Sequence, residues 1–444
     1  MFVTEIALCI AYVSLFVFMI RKLPFFKIDG ISHNKLVLAF LVKVVSGILL
    51  GAIYTYYYKD RLTSDTFKFF DDSKIMFNVM FENPKWFLQM FTGWNDAAAY
   101  LLPYYDTMHN WYNKAALFND YRTQIRINTL LRFISLGFYN VHGIIFSFLA
   151  FIGLTALLKL FIGELQNKRN LLYAGVYFLP SVVFWGSGLL KDSLIFFATG
   201  ISLYHLHKLF IGKGKNPMHF FWFVVFFLFL MVIKFHNYIL LVPLFFAYSV
   251  CLKWPRYKVL VFSGTIAVYY LVLIKIYYIL PGYGLLDLLA KKQLEFLVLA
   301  DYYHPPSQIA ISELSSSMWN ALTNTPEALY HTLFRPWFWE SQSPFIMLAG
   351  FENLVICFLL IACVLGFDRK KLKITPLLLL SFFYFISLYE LIGLVTPVMG
   401  AMVRYKAQAL PFIIFVFVSL ADPVLLKTRL HRMRLFFFSG NQES

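Results

Sequence analysis

Side chains able to move a proton or hold a phosphate are unevenly spread along this chain. Asp60, Asp65, Asp71 and Asp72 crowd the start of the longest polar interruption in its N-terminal half, Lys-Asp-Arg-Leu-Thr-Ser-Asp-Thr-Phe-Lys-Phe-Phe-Asp-Asp-Ser. A carboxylate held there can take the proton of an attacking hydroxyl, an effect worth roughly 10²–10⁴-fold in rate. If Asp71 and Asp72 lie close together, one of the pair should hold its proton more tightly. A second set of charges stands at the edges of apolar runs: Lys191-Asp192, Lys234 with His236, Arg335, and Arg404 with Lys406. Guanidinium binds phosphate oxygens in pairs and ammonium binds them as a point charge. Trp337 and Trp339 offer flat faces to a sugar ring or an apolar tail. No Gly-rich phosphate loop, zincin helix or serine nucleophile elbow occurs. His304 and His331 lack ligand spacing, and Cys9, Cys251, Cys357 and Cys363 lie in apolar runs or at their ends. Neither a metal site nor a disulfide staple is therefore expected.

The elements that must position these groups are read from composition. Hydrophobic residues make up 60% of the chain and aromatic residues 20%. Apolar runs recur at about the 20 residues that a helix needs to cross a bilayer. The expected class is all-α, a polytopic transmembrane helix bundle of about eleven spans. Six runs begin near Phe2, Leu36, Leu131, Leu171, Phe220 and Val259, and five more end near Leu206, Leu252, Phe367, Val395 and Ala421. Residues 1–20 have no basic leader and read as a retained helix rather than a cleaved signal. One transmembrane domain over 1–426 is expected, with outer loops at about 59–130 and 281–343 and a basic cytoplasmic tail over 427–444.

Charge placement fixes a sidedness. With the N-terminus outside, the clusters at Arg21, Lys168, Lys213, Lys253, Arg369 and Lys427 all fall in the cytoplasm and both long loops fall outside. The net charge of +16 is therefore a topology signal, and no nucleic-acid partner is expected. Trp86, Trp94, Trp111, Trp319, Trp337 and Trp339 make the outer loops dense in aromatic residues. That density suits helices lying in the headgroup layer. An ionised group at the bilayer centre costs roughly 2.5–3.5 kcal/mol, so charges at helix ends need a reason. On this topology the early acids and the later cations share the outer side, and one outward-opening cavity lined by both is the expectation.

The order of these pieces resembles the polyprenyl-phosphate-sugar-dependent membrane glycosyltransferases of the GT-C class. The resemblance is carried by the acidic loop after an early helix and by Arg126-Ile-Asn-Thr-Leu-Leu-Arg132 entering a long apolar run. It continues through Leu179-Pro-Ser-Val-Val-Phe-Trp-Gly-Ser-Gly-Leu-Leu-Lys191-Asp192 and Val232-Ile-Lys234-Phe-His-Asn-Tyr-Ile-Leu-Leu-Val-Pro243. Met402-Val-Arg404-Tyr-Lys-Ala-Gln-Ala-Leu-Pro411 is similar to a late helix of several members. Here an extra helix precedes the acidic loop, whereas the class places that loop after its first helix.

The resemblance implies sugar transfer from a polyprenyl-phosphate carrier to a hydroxyl on a glycan, lipid or protein, at the outer face of a cell membrane such as the bacterial inner membrane. It assigns the base to Asp65, with Asp71 and Asp72 as further candidates. Arg404, Lys406 and Arg335, then Lys234, Lys191, Asp192 and His236, would bind the lipid phosphate, and Trp337 and Trp339 the sugar or prenyl chain. No cofactor is expected, a divalent metal being disfavoured. The competing readings are a polysaccharide polymerase or ligase, and a transporter of lipid-linked sugar. The transporter requires charges inside helices and broken spans near the midplane.

Overall fold

The computed structural model describes residues 2–59, 61, 64–112, 119–211, 216–280, 283–340 and 343–439. Asp60 and Lys213, both singled out above, lie outside the described residues. Among the described residues the secondary structure is helical, joined only by three isolated bridges. Among the described residues nine helices are long and apolar enough to cross a membrane.

The expected runs near Leu171–Leu190 and Phe220–Ile233 are not among those nine, for local reasons. Pro180 has no amide hydrogen and bars the residue before it from helical geometry. The run accordingly splits into helices Arg169–Tyr177 and Pro180–Trp185, followed by a turn through Gly188 at φ +71°. Pro217–Ile233 is apolar but spans 17 residues and stops at Lys234, whose backbone leaves the helical region. The expected outer loops are themselves largely helical. The first carries Asp65–Glu82, Pro84–Thr92 and Asp120–Ser135; the second carries Leu285–Tyr303 and Met318–Phe334. Their starts follow capping rules: Asn83 accepts from the N–H groups of Lys85 and Trp86, and Asn119 from that of Arg122.

The chain divides into two compact units. The first comprises Met1–Leu160, Val182–Leu209 and Gly214–Ile239. Its interior is aromatic: Phe16 stacks on Phe148 at 4.0 Å between centroids, and Phe26 on Phe151 at 5.8 Å. Two spans meet backbone to backbone at Gly153 and Gly200, where an added Cβ would stand 2.1 Å from a carbonyl oxygen on either side. Small residues permit such contact, which replaces the hydrophobic drive that lipid removes.

The second unit comprises Phe161–Ser181, Phe210–Lys213 and Leu240–Ser444. Its central span, Pro376–Val395, packs on Met318–Phe334, and a Cβ at Gly393 would stand 2.1 Å from the Ala328 carbonyl oxygen. Phe161 stacks on Phe415 at 4.4 Å.

Candidate functional site

The first unit gathers charged side chains from helix ends. Asp65 is the first residue of Asp65–Glu82, and Asp120 the first of Asp120–Ser135. A carboxylate suits that end of a helix, where the dipole is positive. Lys191, by contrast, is a cation at the start of Lys191–Ile211, the end where the same dipole disfavours it. Its compensation is local: Nζ lies 2.9 Å from Asp120 Oδ2 and 3.5 Å from the Tyr121 ring centroid. Lys234, in the break between Pro217–Ile233 and Phe235–Lys253, places its Nζ 3.9 Å from the same oxygen. Asp65 is close enough to act electrostatically on Lys191. Asp192 is buried beside it, and His236 is half-buried in the next helix.

The carboxylate at the centre of this cluster is not fully used. Among the described residues Asp120 Oδ1 is buried without a hydrogen-bond partner, and so are both amide atoms of Gln124, one turn further along. Buried polar atoms are nearly always paired, so orphans mark a place for a water, an ion or a substrate group. The helix bearing them is stapled to the helix bearing Asp65. Arg132 donates through Nε to Ser73 Oγ at 2.8 Å and through Nη2 to the Phe70 carbonyl. His142 braces the same helix from the next span, with Nδ1 2.9 Å from Asn128 Oδ1 and Nε2 2.6 Å from Ser135 Oγ.

The other early acids point elsewhere. Asp71 forms a paired bond with Arg61, Nε and Nη2 each at 2.7 Å, and the guanidinium is held protonated above its usual range chiefly by that bond. Asp72 is buried and accepts from the N–H groups of His109 and Asn110, both at 2.8 Å. Burial pushes its carboxyl above the ordinary 3.8 against the pull of those N–H groups, and the charge of Asp71 is the least of the causes. The two neighbours thus serve different partners, one a surface arginine and the other the backbone of a loop.

The second unit holds Arg335, Trp337, Trp339, Arg404 and Lys406. Lys406 is buried and donates to three protein oxygens: the carbonyl oxygens of Thr332 (3.1 Å) and Arg335 (2.9 Å), and Asn353 Oδ1 (2.8 Å). An ammonium has three hydrogens, so in this arrangement none remains for a lipid phosphate; Lys406 is a brace. Arg335 donates to Glu340 Oε1 at 2.6 Å, and Glu340 Oε2 accepts from the Trp337 N–H at 2.8 Å. The hook so formed stacks Trp337 on Trp339 at 5.1 Å and leaves Trp339 exposed. Arg404 lies half-buried in Met399–Lys406. A cavity of about 270 Å³, lined by Phe178, Leu179, Pro180, Leu348, Phe351 and Val355, has one acid in its wall, Glu352. Glu352 Oε2 accepts from the Ser181 N–H at 2.5 Å.

Asp120, Gln124 and Glu352 escaped the sequence reading. Asp120 and Gln124 had a signal: with Asn128 and Arg132 they recur every four residues, a polar stripe on one face of a helix. Glu352 had a plainer one, as a carboxylate inside an apolar run.

Chemically, the first-unit cluster offers a carboxylate beside two ammonium groups, a set that can bind an anion and accept a proton. No group of three or more His, Cys, Asp or Glu side chains among the described residues is placed to hold a metal ion. Fold and cluster together define a class, a helical membrane protein whose charged residues collect where its helices end. Comparison with family models, with curated proteins and with solved structures gives no match.

Proposed function

We propose that the protein is an integral membrane glycosyltransferase of the GT-C kind, moving a sugar from a polyprenyl phosphate to a hydroxyl acceptor on the extracytoplasmic side. Counting the split run over 171–190 and the shorter apolar helix Pro217–Ile233 with the nine longer helices, the chain would cross the membrane about eleven times, N-terminus outside and C-terminus in the cytoplasm, in a cell membrane such as the bacterial inner membrane. On that topology Asp65, Asp120, Lys191 and Lys234 all fall at outward helix ends.

The observation that carries the reading is the sharing of one Asp120 oxygen by Lys191 and Lys234 while its other oxygen has no hydrogen-bond partner among the described residues. A departing lipid phosphate gains charge as the glycosidic bond breaks, and two lysines in a poorly hydrated setting stabilise that charge. Asp65 accepts the proton of the attacking hydroxyl, and Asp120 holds the lysines apart and oriented. Compared with the sequence expectation, this reading moves phosphate binding from Arg335, Arg404 and Lys406 to Lys191 and Lys234.

The test is an assay of the purified protein with a panel of polyprenyl-phosphate sugars. Transfer by the wild type that is lost in Asp65→Asn and Lys191→Gln, at unchanged membrane abundance, supports the reading. Full transfer by both variants would remove these residues from the reaction.

One observation favours the transporter alternative. The helices Arg169–Tyr177 and Pro180–Trp185 are discontinuous, buried Glu352 stands at that break, and the span Met399–Leu420 tightens to a 3-10 turn over Ala407–Ala409 next to buried Lys406. Movement of lipid-linked sugar across proteoliposomes without product formation would establish that alternative instead.

A further inference from the structure

At the end of the second unit two basic segments are fastened to a span terminus. Helix Pro423–Ser439 carries Lys427, Arg429, Arg432 and Arg434 and no acid. The connection after span Pro344–Gly366 carries Arg369, Lys370, Lys371 and Lys373. The fastening is specific. Asp422 caps the helix, accepting from the N–H groups of Val424 at 2.8 Å and Leu425 at 3.1 Å, and pairs with Lys371 at 2.8 Å. Its own N–H donates to the Gly366 carbonyl oxygen at 2.8 Å, and Phe367 and Ala421 form a bridge. Arg429 reaches back to the Leu365 carbonyl oxygen at 3.0 Å, one of the last acceptors of that span.

The acids of this region are occupied. Asp422 serves the contacts just given, and Asp368 accepts from the Lys370 N–H at 2.9 Å. Lys370, Lys373, Lys427 and Arg432 are exposed and pair with no carboxylate among the described residues. Val424 and Leu430 are exposed among them. Cations interleaved with apolar side chains, pinned at the level where a span ends, match the boundary between acyl chains and charged headgroups.

We infer that this surface binds anionic phospholipid headgroups of the bilayer that the protein spans. The inference does not depend on the sugar-transfer reading. The occupant follows from charge complementarity and from position: the surface continues directly from two spans, and clusters of Lys and Arg flanking a span attract anionic lipid. Pinning the helix to the span also removes the freedom it would otherwise lose on binding, which favours association.

The test uses the full chain in nanodiscs of phosphatidylcholine alone or mixed with phosphatidylglycerol. Association of labelled phosphatidylglycerol is titrated for the wild type and for the variant K370Q/K373Q/K427Q/R432Q. The expected result is preference for the anionic lipid, weakened by salt and reduced at least about tenfold in the variant. Melting of the two proteins in pure phosphatidylcholine should agree, which separates lost binding from lost folding. Equal association of both lipids with the wild type overturns the inference, as does undiminished binding by the variant. Displacement of the lipid by inorganic phosphate at matched ionic strength overturns it too, since the site would then be one for free phosphate.

Discussion

Lys191 Nζ and Asp120 Oδ2 stand 2.9 Å apart, with little of either side chain exposed. The pair joins the N-termini of two helices, one of which opens a span. Lysine at that end of a helix opposes the dipole, so the placement is stable only while the carboxylate is present.

The first prediction concerns that dependence. Asp120→Asn leaves Lys191 and Lys234 with one fewer counter-charge, and stranding a buried charge costs about 3–5 kcal/mol. The double variant Asp120→Asn/Lys191→Met removes the stranded ammonium and should recover much of the loss. Thermal unfolding in one detergent checks both; a double variant less stable than the single would show that the pair is not the reason.

Asp65 and Asp71 should separate functionally. Asp65→Asn is expected to reduce transfer by roughly 10²–10⁴-fold at unchanged abundance. Asp71 is tied to Arg61 in a pair whose side chains are 34% and 50% exposed, and such pairs contribute about 0–1 kcal/mol. Asp71→Asn should therefore leave transfer within about tenfold. Steady-state rates of the two variants decide, and the reverse ranking would move the base to Asp71.

Asp72 is expected to act on structure. Asp72→Ala strands the N–H groups of His109 and Asn110, at about 1–3 kcal/mol for each unsatisfied group. Hydrogen exchange of residues 105–112 should accelerate while the spans stay protected. Unaltered exchange there would mean that the carboxylate does not hold the segment.

Lys406→Met should lower thermal stability and leave the affinity for a polyprenyl phosphate unchanged. It strands the carbonyl oxygens of Thr332 and Arg335 and Asn353 Oδ1, which between them take all three hydrogens of the ammonium. A variant with wild-type melting and weakened lipid-phosphate binding would return Lys406 to the binding role.

The cap at Asp422 gives a pH dependence. Its hydrogen bond with Lys371, with help from the helix N–H groups, holds the carboxyl at about 2 instead of 3.8. A depressed carboxyl stabilises the fold fully above 3.8, and the contribution disappears as pH falls from there through about 2. A spin label at Thr428 should gain mobility across that window, and Asp422→Asn should be mobile throughout. A label equally immobile at both ends would show that the cap is dispensable.

The sequence by itself determined the membrane class, because hydropathy over a helix length is a local property and lipid rewards it locally. It also determined where several helices begin: Asn83, Asn119 and Pro217 act on backbone groups within a turn of themselves. Tertiary structure decided which charge meets which. Asp71 and Asp72 are adjacent in sequence, yet a helix turns about 100° per residue and sends one to Arg61 and the other to a buried loop. Lys191, Lys234 and Asp120 are far apart in sequence and meet only when helix ends pack together. Partner choice among like residues depends on distance and burial, and both come into being only once the helices have packed.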